Sequence, residues 1–383
     1  MNHLSKCGIR TLPLHTNYGG ILQAYALKSA IESLGHEVTV FDKNDKIWFP
    51  PLWKAPFMYT KRALLRALKG SKGPEVFREF RLKREYPIVS SKLSPFIFKE
   101  LAPRMLDDYS QIKEGEYDAF VVGSDQVWRP CNFDSIQDAF LRFAKGWDVR
   151  RVAYAASFGT SELEYEYVLL EECASLLGAF DAVSVREDSG VQLCDEWFDC
   201  DKAVHVLDPV MLLDVEHYRK LAGNAAERKT KGKVATYILD RSKVKDNVTA
   251  FVTRCTGKQV TDLSVYPKDR YLPLKDRIVP PIEEWIAGFE DADFVVTDSF
   301  HGCVMSILFH KPFLVIGNSA RGLSRVLSLL NIFGLESRLV EGIDPDDDGE
   351  GWLMEMDWDS VDATLDQWRN KSLSFLRDAL QTK

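Results

Sequence analysis

The feature that most constrains this chain is an alternation that runs along nearly its whole length. Apolar runs of strand length are separated by segments of helical period. A chain patterned this way folds as parallel sheets covered by helices, because parallel neighbours can be joined only through a crossover. The class expected is therefore α/β. A first unit reads as a strand near Gly8 to Leu14, the turn His15-Thr16-Asn17-Tyr18-Gly19-Gly20, and a helix with Leu27, Ile31 and Leu34 on one face. Gly35 stops that helix, and a strand follows over 37–42. Further strands are expected over 119–125, 151–159, 182–187 and 203–209.

Beyond Pro209 the alternation restarts, with strands over 233–240 and 259–265. A helix over 282–292, a strand over 293–299, a helix over 301–310, a strand over 312–317 and a helix over 321–335 come next, and Gly334 stands where a left-handed cap would end the last of these. An acidic loop, 344–350, leads to a final amphipathic helix carrying Val361, Leu365, Trp368, Phe375 and Ala379. For 383 residues two domains are expected. The breaks fall at 1–208, 209–345 and 346–383, the last being the acidic loop and terminal helix.

Charge and cysteine usage narrow the function classes. With 49 Lys+Arg against 57 Asp+Glu the net charge is −8, which gives no pull toward nucleic acid, and none is expected as a partner. Seven cysteines form no C-x-x-C pair, and an odd number cannot all be bridged, so reduced thiols in a cytoplasm are the simplest reading. The first twenty residues lack the apolar stretch of a signal peptide, and no run of about 18 apolar residues occurs. The segment 59–85 departs from the rest: nine basic residues and three acidic ones give it a local net of +6. It reads either as a solvated helical face or as a surface for something anionic, a membrane or a lipid-linked substrate.

Ligands of open α/β sheets bind beyond the carboxyl ends of strands, and several polar segments fall there. Asn17-Tyr18-Gly19-Gly20 offers backbone N–H groups at a helix start, or is simply a tight turn. Ser124 and Asp125 end an apolar strand, placed either to recognise hydroxyls or to cap the next helix. Arg186 could fork onto a carboxylate or phosphate, or pair with Glu187 or Asp188. Thr297-Asp298-Ser299-Phe300-His301-Gly302 is the strongest signal, a polar cluster with a histidine at the mouth of a helix. His310, at the far end of that helix, reads as a C-terminal cap. Arg321 and Arg325 lie at i and i+4 near a helix start, where two cations oppose the dipole unless an anion binds or they form a surface pair. Nothing has metal-ligand spacing, and no metal or cofactor is expected.

The segments NYGGILQAYAL (17–27), YDAFVVGSDQVW (117–128), VAYAASFG (152–159), SVRE (184–187), LDPVML (207–212), TDSFHG (297–302) and KPFLVIGNSARGLSR (311–325) together resemble the polysaccharide pyruvyl transferase family. The resemblance implies two Rossmann-like domains facing a cleft, GT-B-like, with a C-terminal helix crossing back. The acceptor would lie on the N-terminal side and the donor on the C-terminal side. The activity implied is transfer of a pyruvyl group from phosphoenolpyruvate onto two hydroxyls of one sugar in a surface or capsular glycan precursor, forming a ketal and releasing phosphate. His301 is implied at the donor site as acid or phosphate contact, with Arg186 there beside it and Ser299 a further donor-side candidate. Ser299 and Phe300 stand where one form of the family pattern has Arg-Leu, so the missing cation would have to come from Arg321 or Arg325. Asn17, Tyr18, Ser124 and Asp125 are the candidates for the acceptor, a glycan or lipid-linked oligosaccharide. The alternatives are a nucleotide-sugar glycosyltransferase and a non-catalytic glycan-binding subunit.

Overall fold

A computed structural model describes residues 5–43, 47–133, 135–318, 322–343, 349, 351–352 and 355–381. Seven strands make the first sheet: β1 (Lys6–Arg10), β2 (Glu37–Lys43), β3 (Arg104–Leu106), β4 (Ala119–Val122), β5 (Arg150–Ala156), β6 (Ala182–Val185) and β7 (Val204–His205). They lie in the order β3-β2-β1-β4-β5-β6-β7, and every pairing is parallel. Five strands make the second: β8 (Val234–Tyr237), β9 (Val260–Asp262), β10 (Phe294–Thr297), β11 (Phe313–Ile316) and β12 (Leu339–Val340), ordered β12-β11-β10-β8-β9 and again all parallel. Both orders are doubly wound, so helices cover both faces. Strands β4, β10 and β11 are buried at every position, as continuous apolar runs in a two-faced sheet must be.

Two strands that lead toward the cleft end sooner than the sequence suggests. The run 119–125 leaves the sheet after Val122, with Asp125 in a left-handed conformation (φ 69°). The run 151–159 ends at Ala156, after a register shift against β6. The short strands β3 and β12 were not anticipated. They hold three and two residues and carry no apolar run of their own.

The helix Trp358–Leu380 crosses from one sheet to the other. At its start, Trp358 stacks on His310 (4.8 Å, 17°) and Asp362 accepts from His310 Nε2 (2.8 Å). His310 therefore does two things: it ends its own helix, in a left-handed conformation (φ 51°) with its N–H on Ile307 O (3.2 Å), as expected of a cap, and its ring clamps the terminal helix. Toward its end, Ser372 Oγ accepts from Leu207 N (3.0 Å) and Ala379 O accepts from Arg150 Nη1 (3.0 Å). One apolar cluster runs through Ile9, Leu22, Met211, Val304 and Leu376, joining both halves and this helix. The result is the GT-B-like arrangement of two Rossmann-like halves around a cleft. Among the described residues no helix is long and apolar enough to cross a membrane.

Candidate active site

In each sheet the strand order reverses direction at one place, between β1 and β4 in the first and between β8 and β10 in the second. The loops leaving such a reversal part to opposite faces and leave a crevice. Here the two crevices face each other. Residues following β1 (Asn17, Gly19), β4 (Asp125), β8 (Asp240) and β10 (Ser299, His301) line one cleft of about 900 Å³.

Three helices begin at this cleft: Tyr18–Ser33, Phe300–Leu308 and Leu323–Phe333. The first and third start without a side-chain cap, and only the second is capped, by Ser299 Oγ accepting from Gly302 N (3.4 Å). Three helix N-termini therefore turn their N–H groups toward one space, a positive potential that needs no cationic side chain.

His301 lies among them, 7% exposed. Its Nδ1 is on the side of Gly19, where an added Cβ would come within 2.1 Å of it, so the first helix can approach the imidazole only with glycine there. Its Nε2 is buried without a hydrogen-bond partner, 3.7 Å from Asp208 Oδ2. Burial pushes the imidazole pKa below its ordinary value; Asp208 and Asp125 pull it up, while Arg186 and Arg325 push it down. The histidine is thus neutral near pH 7. With its proton on Nε2, facing Asp208, Nδ1 is left as an acceptor toward the cleft.

Behind the histidine lies a buried ion cluster. Arg186 donates from Nη1 to Asp208 Oδ2 (2.7 Å) and from Nη2 to Asp125 Oδ1 (3.3 Å), and its guanidinium lies 4.4 Å from the centre of the Phe300 ring. Arg325 Nη1 stands 3.6 Å from Asp125 Oδ1, with its guanidinium 5.9 Å from the same ring. Burial would raise the Asp125 carboxyl, but Arg186, His301 and Arg325 overcome it and hold the group below the usual range. Burial, with Arg186 nearby, lowers Arg325 to about 10. Burial raises Glu187, whose Oε1 accepts from Ser157 Oγ, Phe158 N and Gly159 N while Oε2 has no partner.

The structure therefore gathers most of the residues singled out in the sequence but changes what several of them do. Arg186 is held by two carboxylates and does not line the cleft, whereas Arg325 does. Ser124 is fully buried and donates to Asp208 Oδ2 (3.0 Å), so it neither faces an acceptor nor caps a helix. Asp125 binds Arg186 and accepts from Asn17 Nδ2 (3.3 Å). Tyr18 stacks on Trp285 (5.0 Å, 17°) and donates to Pro280 O (2.9 Å), bridging the two halves at the cleft wall. Arg321 lies outside the described residues.

Sequence reasoning gave no role to Asp208, which joins Arg186, Ser124 and His301. Its signal was the Asp-Pro pair ending 203–209. A second cluster was also missed: Lys245 Nζ donates to Asp298 Oδ2 (2.6 Å) and Asp240 O (2.7 Å), pinning the loop after β8 to the loop after β10. Among the described residues no group of three or more His, Cys, Asp or Glu is placed to hold a metal ion.

The candidate residues thus gather in the cleft between two Rossmann-like halves. A family model for polysaccharide pyruvyl transferase matches residues 17–320, and the chain belongs to that family. No curated protein matches it in sequence. Among solved structures it is similar to a UDP-glucosyltransferase from Polygonum tinctorium capable of glucosylating indoxyl (13% identity, 100% of each chain, TM-score 0.47). It is also similar to the glycotransferase of kitacinnamycin (12%, 99% of this chain and 100% of that one, TM-score 0.44). A third is UDP-GlcNAc 2-epimerase from Neisseria meningitidis (9%, 98% and 94%, TM-score 0.41).

Proposed function

We propose that the cleft transfers the pyruvyl group of phosphoenolpyruvate onto two hydroxyls of one sugar in a glycan precursor. The observation that carries this reading is the meeting of three helix N-termini around the neutral imidazole of His301. Phosphoenolpyruvate presents a phosphate and a carboxylate, and helix N-termini bind such groups through backbone N–H donors. They supply what Ser299, standing in the place of an arginine, cannot. The buried arginines do not: Arg186 is neutralised by Asp125 and Asp208, and Arg325 also faces Asp125.

The chemistry then needs one group that moves a proton twice. In the first step the sugar hydroxyl adds across the enol double bond. Its oxygen bonds to C2 of the donor, and its proton passes through His301 Nδ1 to the methylene carbon, which becomes the methyl group. In the second step the C2–O bond to phosphate breaks, the second hydroxyl closes the ketal, and the proton it loses to the same nitrogen passes on to the departing phosphate. Each time the imidazole becomes cationic, Nε2–H faces Asp208, which stabilises the charge and draws the 3.7 Å separation in. Asp208 acts here as a positioning residue, held in turn by Arg186 and Ser124.

The test is incubation of the full chain with phosphoenolpyruvate and candidate glycans, scoring phosphate release and a pyruvyl mass increment on the glycan. Both are expected together, with a loss of 10²-fold or about that order in His301→Gln. Thermal stabilisation by UDP but not by phosphoenolpyruvate, with no phosphate release on any glycan, would overturn the reading in favour of a nucleotide-sugar enzyme.

A further inference from the structure

The helix Ala55–Lys69 buries none of its residues. Three of its apolar side chains point away from the protein: Phe57 is 79% exposed, Leu64 61% and Leu68 82%, with Trp53 just ahead of the helix at 70%. Positions 57, 64 and 68 share one face, and a shallow apolar groove runs beside Pro56, Phe57 and Leu64. The face turned to the protein carries the partly buried Met58, Tyr59 and Leu65 together with Arg62. Arg62 Nη1 donates to Glu79 Oε2 (3.0 Å) and to Val76 O (3.2 Å). A soluble helix needs only the one apolar stripe that lies on the protein, so this second, outward ridge lacks its partner.

The charges around the ridge say what that partner is. All three acids of the segment 59–85 are consumed internally: Glu79 by Arg62, Glu75 by Arg81, and Glu85 by Arg81, Arg84 and Arg277. Lys61, Arg66, Lys69, Lys72, Arg78 and Lys83 are exposed and have no acidic partner among the described residues. A purely cationic rim therefore surrounds an apolar ridge on a chain whose net charge is −8.

We infer that the hairpin formed by the helices Ala55–Lys69 and Arg78–Val89 docks the protein on an anionic lipid bilayer, with Trp53, Phe57, Leu64 and Leu68 seated among the headgroups and acyl boundary. The acidic remainder of the surface is repelled by such a membrane, which fixes the orientation. The hairpin is joined to the rim of the cleft. Val279 N donates to Val89 O (2.9 Å), His15 meets Tyr86 edge to face (5.3 Å), and Val279 and His15 both line the cleft. Docking would hold the cleft mouth near the membrane surface. The inference does not depend on which donor the cleft uses.

Flotation of the full chain with vesicles tests it. Vesicles of equal parts phosphatidylglycerol and phosphatidylcholine are expected to carry the protein, and pure phosphatidylcholine is not, with binding to the former weakened by salt. Replacing Lys61, Arg66 and Lys69 by glutamine should lower the partition coefficient about a hundredfold. Leu64→Ser with Leu68→Ser should lower it at least about tenfold even at low salt. All five side chains are solvent-facing, so the variants should keep the circular dichroism and thermal transition of the parent. Equal recovery on both vesicle types, or no change in either variant, would overturn the inference. A lipid-free dimer that dissociates in the leucine variant, without vesicle binding by the parent, would assign the ridge to a second copy of the chain instead.

Discussion

Asp208 fixes the state of His301 from behind, and this gives the pH dependence a sign. Burial takes the imidazole below its ordinary 6.5, and the Asp208 carboxylate offsets part of that fall. Activity that needs neutral His301 is present above the folded pKa and is lost as pH falls through it. Asp208→Asn removes a pull upward, so the acid limb of kcat/KM should move to lower pH while the rate on the plateau drops by about 10²-fold. A purely structural role for Asp208 would lower the plateau and leave the limb in place. His301 was legible in the sequence because a histidine at the polar end of an apolar strand stands out. Asp208 was not, because its partners Arg186 and His301 come from distant segments that only the fold brings together. The same holds for Ser124, whose strand-end position suggested a ligand while its side chain turned inward to that carboxylate.

At the scale of the element, the strands buried on both faces were plain from their apolar runs. Their ends were not, since the residues that leave the sheet early are those the site requires in irregular conformations, Asp125 above all. The basic hairpin shows the converse. Its charge surplus was visible in the sequence, but which charges are paired was not, and neither was the outward turn of Phe57, Leu64 and Leu68. Its attachment rests on Glu85, where burial alone would raise the carboxyl, while Arg277, Arg81 and Arg84 outweigh burial and hold it at about 2. A depressed carboxyl pKa contributes stability that is present above the unfolded value, 4.5, and lost as pH falls toward 2. Glu85→Gln should therefore cost about 3 kcal/mol at neutral pH, since it leaves Arg277 buried without its carboxylate. That difference from the parent should shrink across this acidic window when unfolding by denaturant is followed against pH. A difference that stays constant down to pH 2 would mean the pair does not hold the hairpin.

For the molecule as a whole, the question is whether two sheets with separate crossovers behave as one body. Three kinds of contact say they do: Tyr18 stacked on Trp285 across the cleft, the pair Glu85–Arg277, and the terminal helix clamped by His310 at one end and by Leu207 and Arg150 at the other. Of these the helix has the deepest contact, because Leu376 is fully buried in the apolar cluster that both halves share. The exposed pair His310–Asp362 adds little, as solvent-facing ion pairs contribute at most about 1 kcal/mol. Leu376→Ala should instead cost about 2–5 kcal/mol, from lost transfer energy and the cavity left behind. If the helix couples the halves, that loss must appear in both. The emission of Trp128, inside the first domain, and of Trp285, inside the second, should follow one shared transition in denaturant, shifted together by the substitution. Single-tryptophan variants would separate the two signals. A shift in the Trp128 transition alone would show that the helix belongs to the first domain and merely rests on the second, and the cleft would then be free to open about Tyr18 and Trp285.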